Sequence, residues 1–353
     1  MLGIRSLDGD AQRDAIDARD RFLELREVER ELTRRYDGSM FYETRGQREY
    51  LLRRHAGSSA KHSLGPRSDE TDRMLAEFQN AQDRLTSRRS GLRHELERGA
   101  PVLAARGLGR VPRLAARILR RLDDVGWMGT RLHVVGTHAL FAYEALAGVR
   151  VSAEATATGD VDLLYDARRR IRLGGSNVRD RSVLGLLRRV DKSFNPSGPH
   201  AFRAVNDQGY MVDLIGPVHD PRRGSGRTAQ AENLEDEIGP VEIDGLDWLV
   251  NAPKTEAVAF DEKGLPLLIS TVDPRAFALH KLWVAERHDR DPLKRRRDRG
   301  QAEIAADIAV TYLGLRFDDQ RLSALPQYLL AGIETIQQQL TDRDADDDLS
   351  NAW

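Results

Sequence analysis

The chain has 353 residues, of which 40% are hydrophobic and 31% charged, and its formal net charge is −1. This length is enough for two domains or for one large, elaborated domain. The near-neutral charge excludes a protein that is basic overall, although a local basic face is compatible with it. The absence of cysteine excludes disulfides, thiolate zinc sites, iron–sulfur clusters and cysteine nucleophiles.

The apolar runs are far shorter than the roughly 20 residues of a membrane helix, and the first residues lack the apolar core of a signal peptide. The sequence therefore predicts a protein with no membrane contact, and the cytoplasm is its expected compartment. Of the 55 basic residues, 49 are arginine and only six are lysine. We interpret this excess as a result of genomic base composition and not as a sign of phosphate binding.

Two long amphipathic helices are predicted in the first third of the chain. Residues 11–36 carry apolar or small side chains in steps of three and four, and residues 69–98 repeat this pattern. Ser68 is a suitable N-cap for the second helix. The residues between the helices, 37–67, are polar and contain glycine. We therefore predict an antiparallel helical hairpin.

After this hairpin, two shorter helices are expected at about 100–106 and 111–124, and then the pattern changes to short strands mixed with helices. Strands are predicted at 131–135, 160–165, 201–205 and 210–215, helices at 138–146 and 183–194, and β-rich segments at 241–250 and 255–272. Pro274 opens a helical region that extends to about residue 340. The predicted fold class is α+β, with a mixed sheet between an N-terminal helical region and a C-terminal helical subdomain. The expected division of the chain is 1–125, 126–272, 273–341 and an acidic tail at 342–353.

Asp160 and Asp162 are predicted to point to the same side of one strand, because residues i and i+2 of a strand share a face. Two carboxylates this close repel each other unless a cation lies between them. Asp213 lies on a later strand among apolar neighbours, where a lone carboxylate is costly to bury without a partner. Mg²⁺ prefers carboxylate oxygens and neutralises phosphates. These three residues are therefore predicted to be catalytic and to bind Mg²⁺ or Mn²⁺.

Gly136 and Thr137 follow a predicted strand and precede a predicted helix. A glycine at this position lets the backbone approach a phosphate, and the helix N-terminus offers N–H groups to the anion. The hydroxyl of Thr137 can donate a further hydrogen bond. Both residues are therefore predicted to bind the nucleotide.

In this order the motifs resemble those of the DNA polymerase β-like nucleotidyltransferase superfamily. Its signature is hG[GS] before a helix, then [DE]h[DE]h, then a third acid on a downstream strand. The chain carries these elements as Val135-Gly136-Thr137, Asp160-Val161-Asp162-Leu163 and Val212-Asp213-Leu214. Thr158 also fits the [ST]-x-D-h-D form of bacterial nucleotidyltransferases from toxin–antitoxin and antibiotic-modifying systems. The resemblance covers about 131–216. It is incomplete in two respects, since the gap between the glycine and the first aspartate is longer than usual and a threonine replaces the second Gly or Ser.

The resemblance implies transfer of a nucleoside monophosphate from an NTP to an acceptor hydroxyl or side chain, on RNA, on a partner protein or on a small molecule. Asp160 and Asp162 would ligate both metal ions, and Asp213 would ligate the catalytic one. A basic residue of the C-terminal helices commonly reaches the triphosphate in this superfamily, and Lys281 is the candidate here. The alternative is a non-catalytic nucleotidyltransferase-like module that binds RNA or protein, for example as a toxin–antitoxin component.

Four basic features each allow two interpretations. The segment 84–121 holds eleven arginines and two glutamates, which fits either an RNA-facing surface or helices docked on an acidic part of the protein. The segment 36–67 interleaves aromatic and basic side chains, which suits either base stacking or core packing. The run Lys294–Arg297 favours a solvated helix start over phosphate contact. Arg203 could pair with Asp213 or point away from it.

Overall fold

The computed structural model describes residues 3–166, 182–199, 201–216, 238–242 and 247–350. Within these ranges the chain forms helices around a central mixed sheet, which confirms the α+β fold class. None of the described helices is both long enough and apolar enough to cross a bilayer.

The N-terminal helical hairpin is confirmed. After a short strand β1 (Arg5–Ser6), helix α1 (Gly9–Arg35) packs against helix α2 (Asp69–Ala105) through buried leucines and Val28. Ser68 caps α2 in a capping box with Thr71, as its sequence predicts. The separate helix expected at 100–106 is wrong, because α2 continues through Pro101. Ala100 and Leu103 prolong the buried stripe of α2, so burial keeps this last turn helical.

The connection between these helices is a sheet and not a polar loop. Strands β2 (Ser39–Arg45), β3 (Arg48–Arg54) and β4 (His62–Pro66) form an antiparallel sheet in the order β2-β3-β4, which we call the tip sheet. Its apolar runs, Met40–Tyr42 and Tyr50–Leu52, are short and stand between charged residues, so the segment resembles a polar connection in composition.

The main sheet has nine strands among the described residues. These are β5 (Gly109–Val111), β6 (Leu132–Val135), β8 (Asp160–Tyr165), β9 (Asn195–Pro196), β10 (Arg203–Val205), β11 (Met211–Gly216), β12 (Val241–Glu242), β13 (Lys254–Asp261) and β14 (Pro266–Val272). Their order is β5-β13-β14-β6-β8-β11-β10-β9, and β12 also pairs with β11. Strand β8 runs parallel to β11 and antiparallel to β6. The remaining strand β7 (Val149–Arg150) pairs with β1 and fastens the start of the hairpin to this region.

Helices pack around the main sheet, and the chain after β14 is helical. They are α3 (Arg113–Asp124), α4 (Ala139–Ala147), α5 (Ala153–Thr156), α6 (Val183–Val190), α7 (Asp247–Asn251), α8 (Pro274–Glu286), α9 (Pro292–Asp307), α10 (Gln327–Leu330) and α11 (Gly332–Ser350). The β-rich segment expected at 241–250 is largely wrong. It holds only the two residues of β12 and then helix α7, because Trp248, Leu249 and Val250 are all buried in the core and need not alternate. Residues 243–246 of that segment lie outside the described residues.

Candidate active site

One row of side chains crosses four adjacent strands of the main sheet. Val135 on β6 pairs with Asp162 on β8, Asp162 with Asp213 on β11, and Asp213 with Arg203 on β10. Paired residues of neighbouring strands share a face and lie about 5 Å apart. The sheet therefore places Asp162 and Asp213 side by side, and Asp160 is on the same face because it precedes Asp162 by two residues.

The surroundings of Asp162 disfavour the ionised form of its carboxylate. Burial raises its pKa from 3.8 to about 7, and the charges of Asp160 and Asp213 add to this rise. The charges of Lys281 and Arg203 act in the opposite direction but do not cancel it. The negative charge of the three acids is therefore not fully compensated by the nearby cations. A further cation beside Asp162 would stabilise its ionised form.

The other two carboxylates already have partners. Asp213 is buried and accepts two hydrogen bonds of 2.7 Å from the guanidinium of Arg203. Asp160 accepts a hydrogen bond from the hydroxyl of Thr158. Within the described residues, no three histidine or acidic side chains are arranged closely enough to hold a metal ion. The backbone therefore brings the three acids together, while two of the side chains are turned toward neighbouring partners.

Gly136 closes the site against Asp162. Its φ is +64°, and a Cβ atom at this position would lie 2.1 Å from Oδ2 of Asp162. Any larger residue would thus combine an unfavourable backbone conformation with a collision against the carboxylate. Gly136 begins a 3₁₀ turn, Gly136–His138, that leads directly into α4. The turn and the row of acids consequently form one continuous surface.

A family model matches the part of the chain that contains this site. The model of a family described as nucleotidyltransferase matches residues 113–326, which include the Gly136 turn and all three acids. The chain belongs to the nucleotidyltransferase family. Neither a curated protein nor a solved structure matches it. The match supports nucleotidyl transfer as the general class of activity.

Thr137 of this nucleotidyltransferase connects the turn to the C-terminal helices. Its hydroxyl oxygen accepts hydrogen bonds from Arg297 at 2.9 Å and from Gln301 at 3.2 Å, both on α9. Arg297 also donates to the carbonyl of Ala157, and Gln301 donates to that of Ala155. Arg297 is exposed, which agrees with the solvated helix start that the sequence favours for this run, and its guanidinium also reaches the Gly136 turn. The i, i+4 spacing of Arg297 and Gln301 was the available signal, since it places both on one helix face.

Lys281, the predicted triphosphate residue, is already part of an ion pair. Its Nζ lies 2.7 Å from Oδ1 of Asp298, and Arg290 holds the second oxygen of the same carboxylate. Both cations lower the pKa of Asp298 against the effect of burial. Lys281 is close enough to affect Asp162, but its charge is shared. Arg297, in contrast, has no carboxylate partner among the described residues.

Two further polar atoms near the acids are buried and have no hydrogen-bond partner among the residues that the structure describes. They are Oη of Tyr210 and Nε2 of His138. Burial together with the charges of Asp160 and Asp162 raises the pKa of Tyr210, so its hydroxyl stays protonated. Burial lowers the pKa of His138 to about 4, so its ring is neutral at pH 7. Sequence reasoning missed Tyr210 and gave no role to His138.

The arginine-rich segment 84–121 is mainly a structural element of this nucleotidyltransferase. Six of its eleven arginines form ion pairs with acids among the described residues. These are Arg88 with Glu24, Arg93 with Glu29, Arg106 with Asp14, Arg110 with Glu144, Arg120 with Asp261 and Arg121 with Asp124. The interpretation of docked helices therefore fits this segment better than that of an RNA-facing surface.

Proposed function

We propose that this protein transfers a nucleoside monophosphate from an NTP to an acceptor, with Mg²⁺ or Mn²⁺ held by Asp160, Asp162 and Asp213. The observation that carries the proposal is the pairing of Asp162 with Asp213 on adjacent strands, in front of the Gly136 turn. A structural role alone does not account for three acids on one face, since their mutual repulsion destabilises the fold.

The residues fit a divalent cation. Burial, together with the charges of two neighbouring acids, raises the pKa of Asp162 to about 7, so its ionised form lacks a compensating positive charge. Carboxylate oxygens are also the ligands that Mg²⁺ prefers. When bound, the ion would neutralise phosphate charge and make the acceptor hydroxyl more acidic. Asp160 and Asp213 would have to turn away from Thr158 and Arg203 to become ligands.

The Gly136 turn would hold the β- and γ-phosphates of the NTP. The absence of a side chain at Gly136 makes room for the carboxylate of Asp162 beside the turn, and the first turn of α4 presents backbone N–H groups to the anion. Arg297 supports this part of the proposal better than Lys281 does, because it reaches the turn from α9 and its charge is not paired with an acid. Lys281 would assist through its field at Asp162.

Asp213 would hold the acceptor side of the site. It lies next to Asp162 on the sheet, and two hydrogen bonds from Arg203 fix the orientation of its carboxylate. Because Arg203 is partly exposed, its guanidinium is free to rotate toward a substrate phosphate once Asp213 has another partner. Catalysis would then depend mainly on positioning and on charge neutralisation. The cytoplasm is the compartment we propose, since this reaction requires NTP.

The direct test is incubation with each of the four α-labelled NTPs, Mg²⁺ and a cell extract that is afterwards separated into RNA, protein and small molecules. We expect label in one fraction with the native protein, and that fraction identifies the acceptor class. The double variant Asp160→Asn, Asp162→Asn should reduce labelling by roughly 100-fold or more. The matched control is Asp207→Asn, which removes an exposed acid from the nearby turn after β10.

The same variants distinguish the enzyme from the non-catalytic alternative. NTP with Mg²⁺ should raise the melting temperature of the native protein and of the Asp207→Asn control, because a ligand that binds only the folded state stabilises it. The double variant should fold but show no such rise. If no fraction is labelled and the melting temperature does not respond to NTP, the proposed activity is wrong and the non-catalytic module remains.

A further inference from the structure

The two faces of the tip sheet have different surroundings. One face rests on the helical hairpin, where Oη of Tyr42 lies 2.8 Å from both Thr71 Oγ1 and Asp72 Oδ1. Arg53 belongs to the same face, since its guanidinium lies 4.3 Å from the ring centre of Phe78 on α2. Residues of β3 at even positions must therefore point to the opposite side, which we call the outer face.

The outer face combines arginines with aromatic rings. Along β3 it carries Arg48, Tyr50, Leu52 and Arg54 in alternate positions, and Phe41 on β2 pairs with Leu52. The side chains of Arg48 and Arg54 are exposed, and the two rings are partly exposed. The guanidinium of Arg54 and the ammonium of Lys61 each lie 5.7 Å from the ring centre of Phe41.

The charge on this face is not balanced internally. Arg45 and Lys61 share the single carboxylate of Glu43. Neither Arg48 nor Arg54 forms an ion pair with any residue that the structure describes, in contrast to the arginines of α2 that bind acids of α1. The outer face thus has an excess of positive charge beside rings that can stack on a flat ligand.

The position of the tip sheet restricts the size of its ligand. Helix α1 begins beside β7, next to the main sheet, and its 27 residues span about 40 Å before the tip sheet. Arg26 of α1 forms an ion pair with Asp123 of α3. The nine residues of α1 that follow Arg26 extend about 13 Å beyond this ion pair before the tip sheet begins. A ligand that contacts both the tip sheet and the acids of the active site has to bridge this added length of α1.

We propose that the outer face of the tip sheet binds single-stranded RNA and that this RNA is the acceptor class of the enzyme. The second half of this inference rests on the proposed function, while the first half does not. An acidic protein would be attracted by Arg48 and Arg54, but this charge attraction does not involve the ring of Tyr50. That ring makes no aromatic, cation or hydrogen-bond contact with the described residues. Bases stack on such rings and on guanidinium planes without a strict sequence requirement.

Binding is tested with the full-length protein, EDTA and a fluorescent oligouridylate of about 20 nucleotides, followed by fluorescence anisotropy at several salt concentrations. The variant Arg48→Gln, Arg54→Gln should weaken binding about tenfold and reduce the slope of log K against log salt by about 1.4, the value for two lost contacts to a single strand. Tyr50→Ala should weaken binding by about tenfold and leave that slope unchanged, because stacking does not release counterions. The control Arg84→Gln, Arg98→Gln removes two exposed arginines from α2 and should leave binding within twofold.

The outcomes separate this inference from the proposed function. Equal losses in the outer-face variant and in the α2 control would mean diffuse charge attraction and would overturn the inference. Tighter binding of a polyglutamate peptide, or of a duplex RNA of equal length, would also overturn it. Since EDTA and the absence of NTP remove any turnover, a loss of binding says nothing against the active site. Conversely, if Asp160→Asn, Asp162→Asn has no effect on labelling while oligouridylate still binds, the proposed activity fails and the RNA surface stands.

Discussion

Arg203 donates two hydrogen bonds to the carboxylate of Asp213, from Nε to Oδ1 and from Nη2 to Oδ2, each of 2.7 Å. The two residues are direct neighbours on β10 and β11, so the sheet itself sets this geometry. Asp213 is buried and Arg203 is about one-third exposed. Asp213 can therefore be interpreted either as a structural partner of Arg203 or as a catalytic residue. The two interpretations predict different effects of substituting Asp213.

In the catalytic interpretation, Asp213→Asn should leave the affinity for NTP with Mg²⁺ within a few-fold and lower transfer by orders of magnitude. Loss of an interaction made only in the transition state has this signature. Titration with a fluorescent nucleotide measures the first quantity, and single-turnover label transfer measures the second. An Asp213→Asn protein that melts earlier but transfers at the native rate would reduce Asp213 to the partner of Arg203.

Asp162→Asn should make the metal-free protein more stable at pH 8. The substitution removes a charge that burial and two neighbouring acids disfavour, and a pKa rise from 3.8 to about 7 corresponds to about 2–4 kcal/mol of unfolding free energy. Urea unfolding in EDTA measures this gain, with Asp207→Asn as an exposed control that should not change. A variant less stable than the native protein would show that Asp162 is held by favourable contacts and not strained.

Arg297→Gln should raise the KM for NTP roughly tenfold or more, because it removes a charge-assisted contact to the phosphates. The neighbouring Arg296→Gln is the matched control, since Arg296 is exposed one position away on α9 and should leave KM unchanged. Steady-state transfer with varied NTP separates the two. Equal effects of both variants would assign the role to the general charge of α9.

The protein should lose stability in acid through His280. Burial, with Lys281 and Arg290 nearby, lowers the pKa of His280 to about 3, although Asp298 opposes this shift. A histidine with a lowered pKa stabilises the folded state above the unfolded pKa of 6.5, and this contribution is lost as the pH falls toward 3. The expected slope is up to about 1.4 kcal/mol per pH unit in that window.

His280→Phe should flatten this acid dependence, because it keeps a ring between Trp248 and Trp283 but cannot bind a proton. Urea unfolding between pH 4 and pH 7 measures the slope. The exposed His94 on α2 serves as the control, and His94→Phe should retain the native slope. A His280→Phe protein with the native slope would place the acid sensitivity in other groups.

The sequence was sufficient for the strand that carries the acids, because Asp160–Leu163 alternates polar and apolar residues before the run ends in Leu164 and Tyr165. It also indicated the Gly136 turn and the helical hairpin. It could not supply the neighbour of Asp162, since strand pairing joins segments about fifty residues apart and depends on the whole fold. The tip sheet was missed for a local reason, because charged residues stand between its short apolar runs, Met40–Tyr42 and Tyr50–Leu52.

The basic residues of the site show a second limit of sequence. Lys281 and Arg297 both lie on predicted helices, and their composition is equally suited to phosphate. The direction of each side chain depends on how α8 and α9 pack. In this packing Lys281 contacts Asp298, and Arg297 contacts Thr137. The division of the chain into domains at 125, 272 and 341 stays a prediction.

The Arg203–Asp213 pair also has a consequence for how the chain folds. Strands β10 and β11 form a hairpin whose connection has five residues, 206–210, so they can pair before β11 meets the distant β8. Arg203 then neutralises Asp213 before that strand is brought beside the two acids of β8, and the repulsion at docking is reduced. Arg203→Gln should accordingly slow refolding more than it speeds unfolding, as stopped-flow chevron plots in EDTA would show. An effect confined to the unfolding rate would mean that the pair forms only after the sheet is complete.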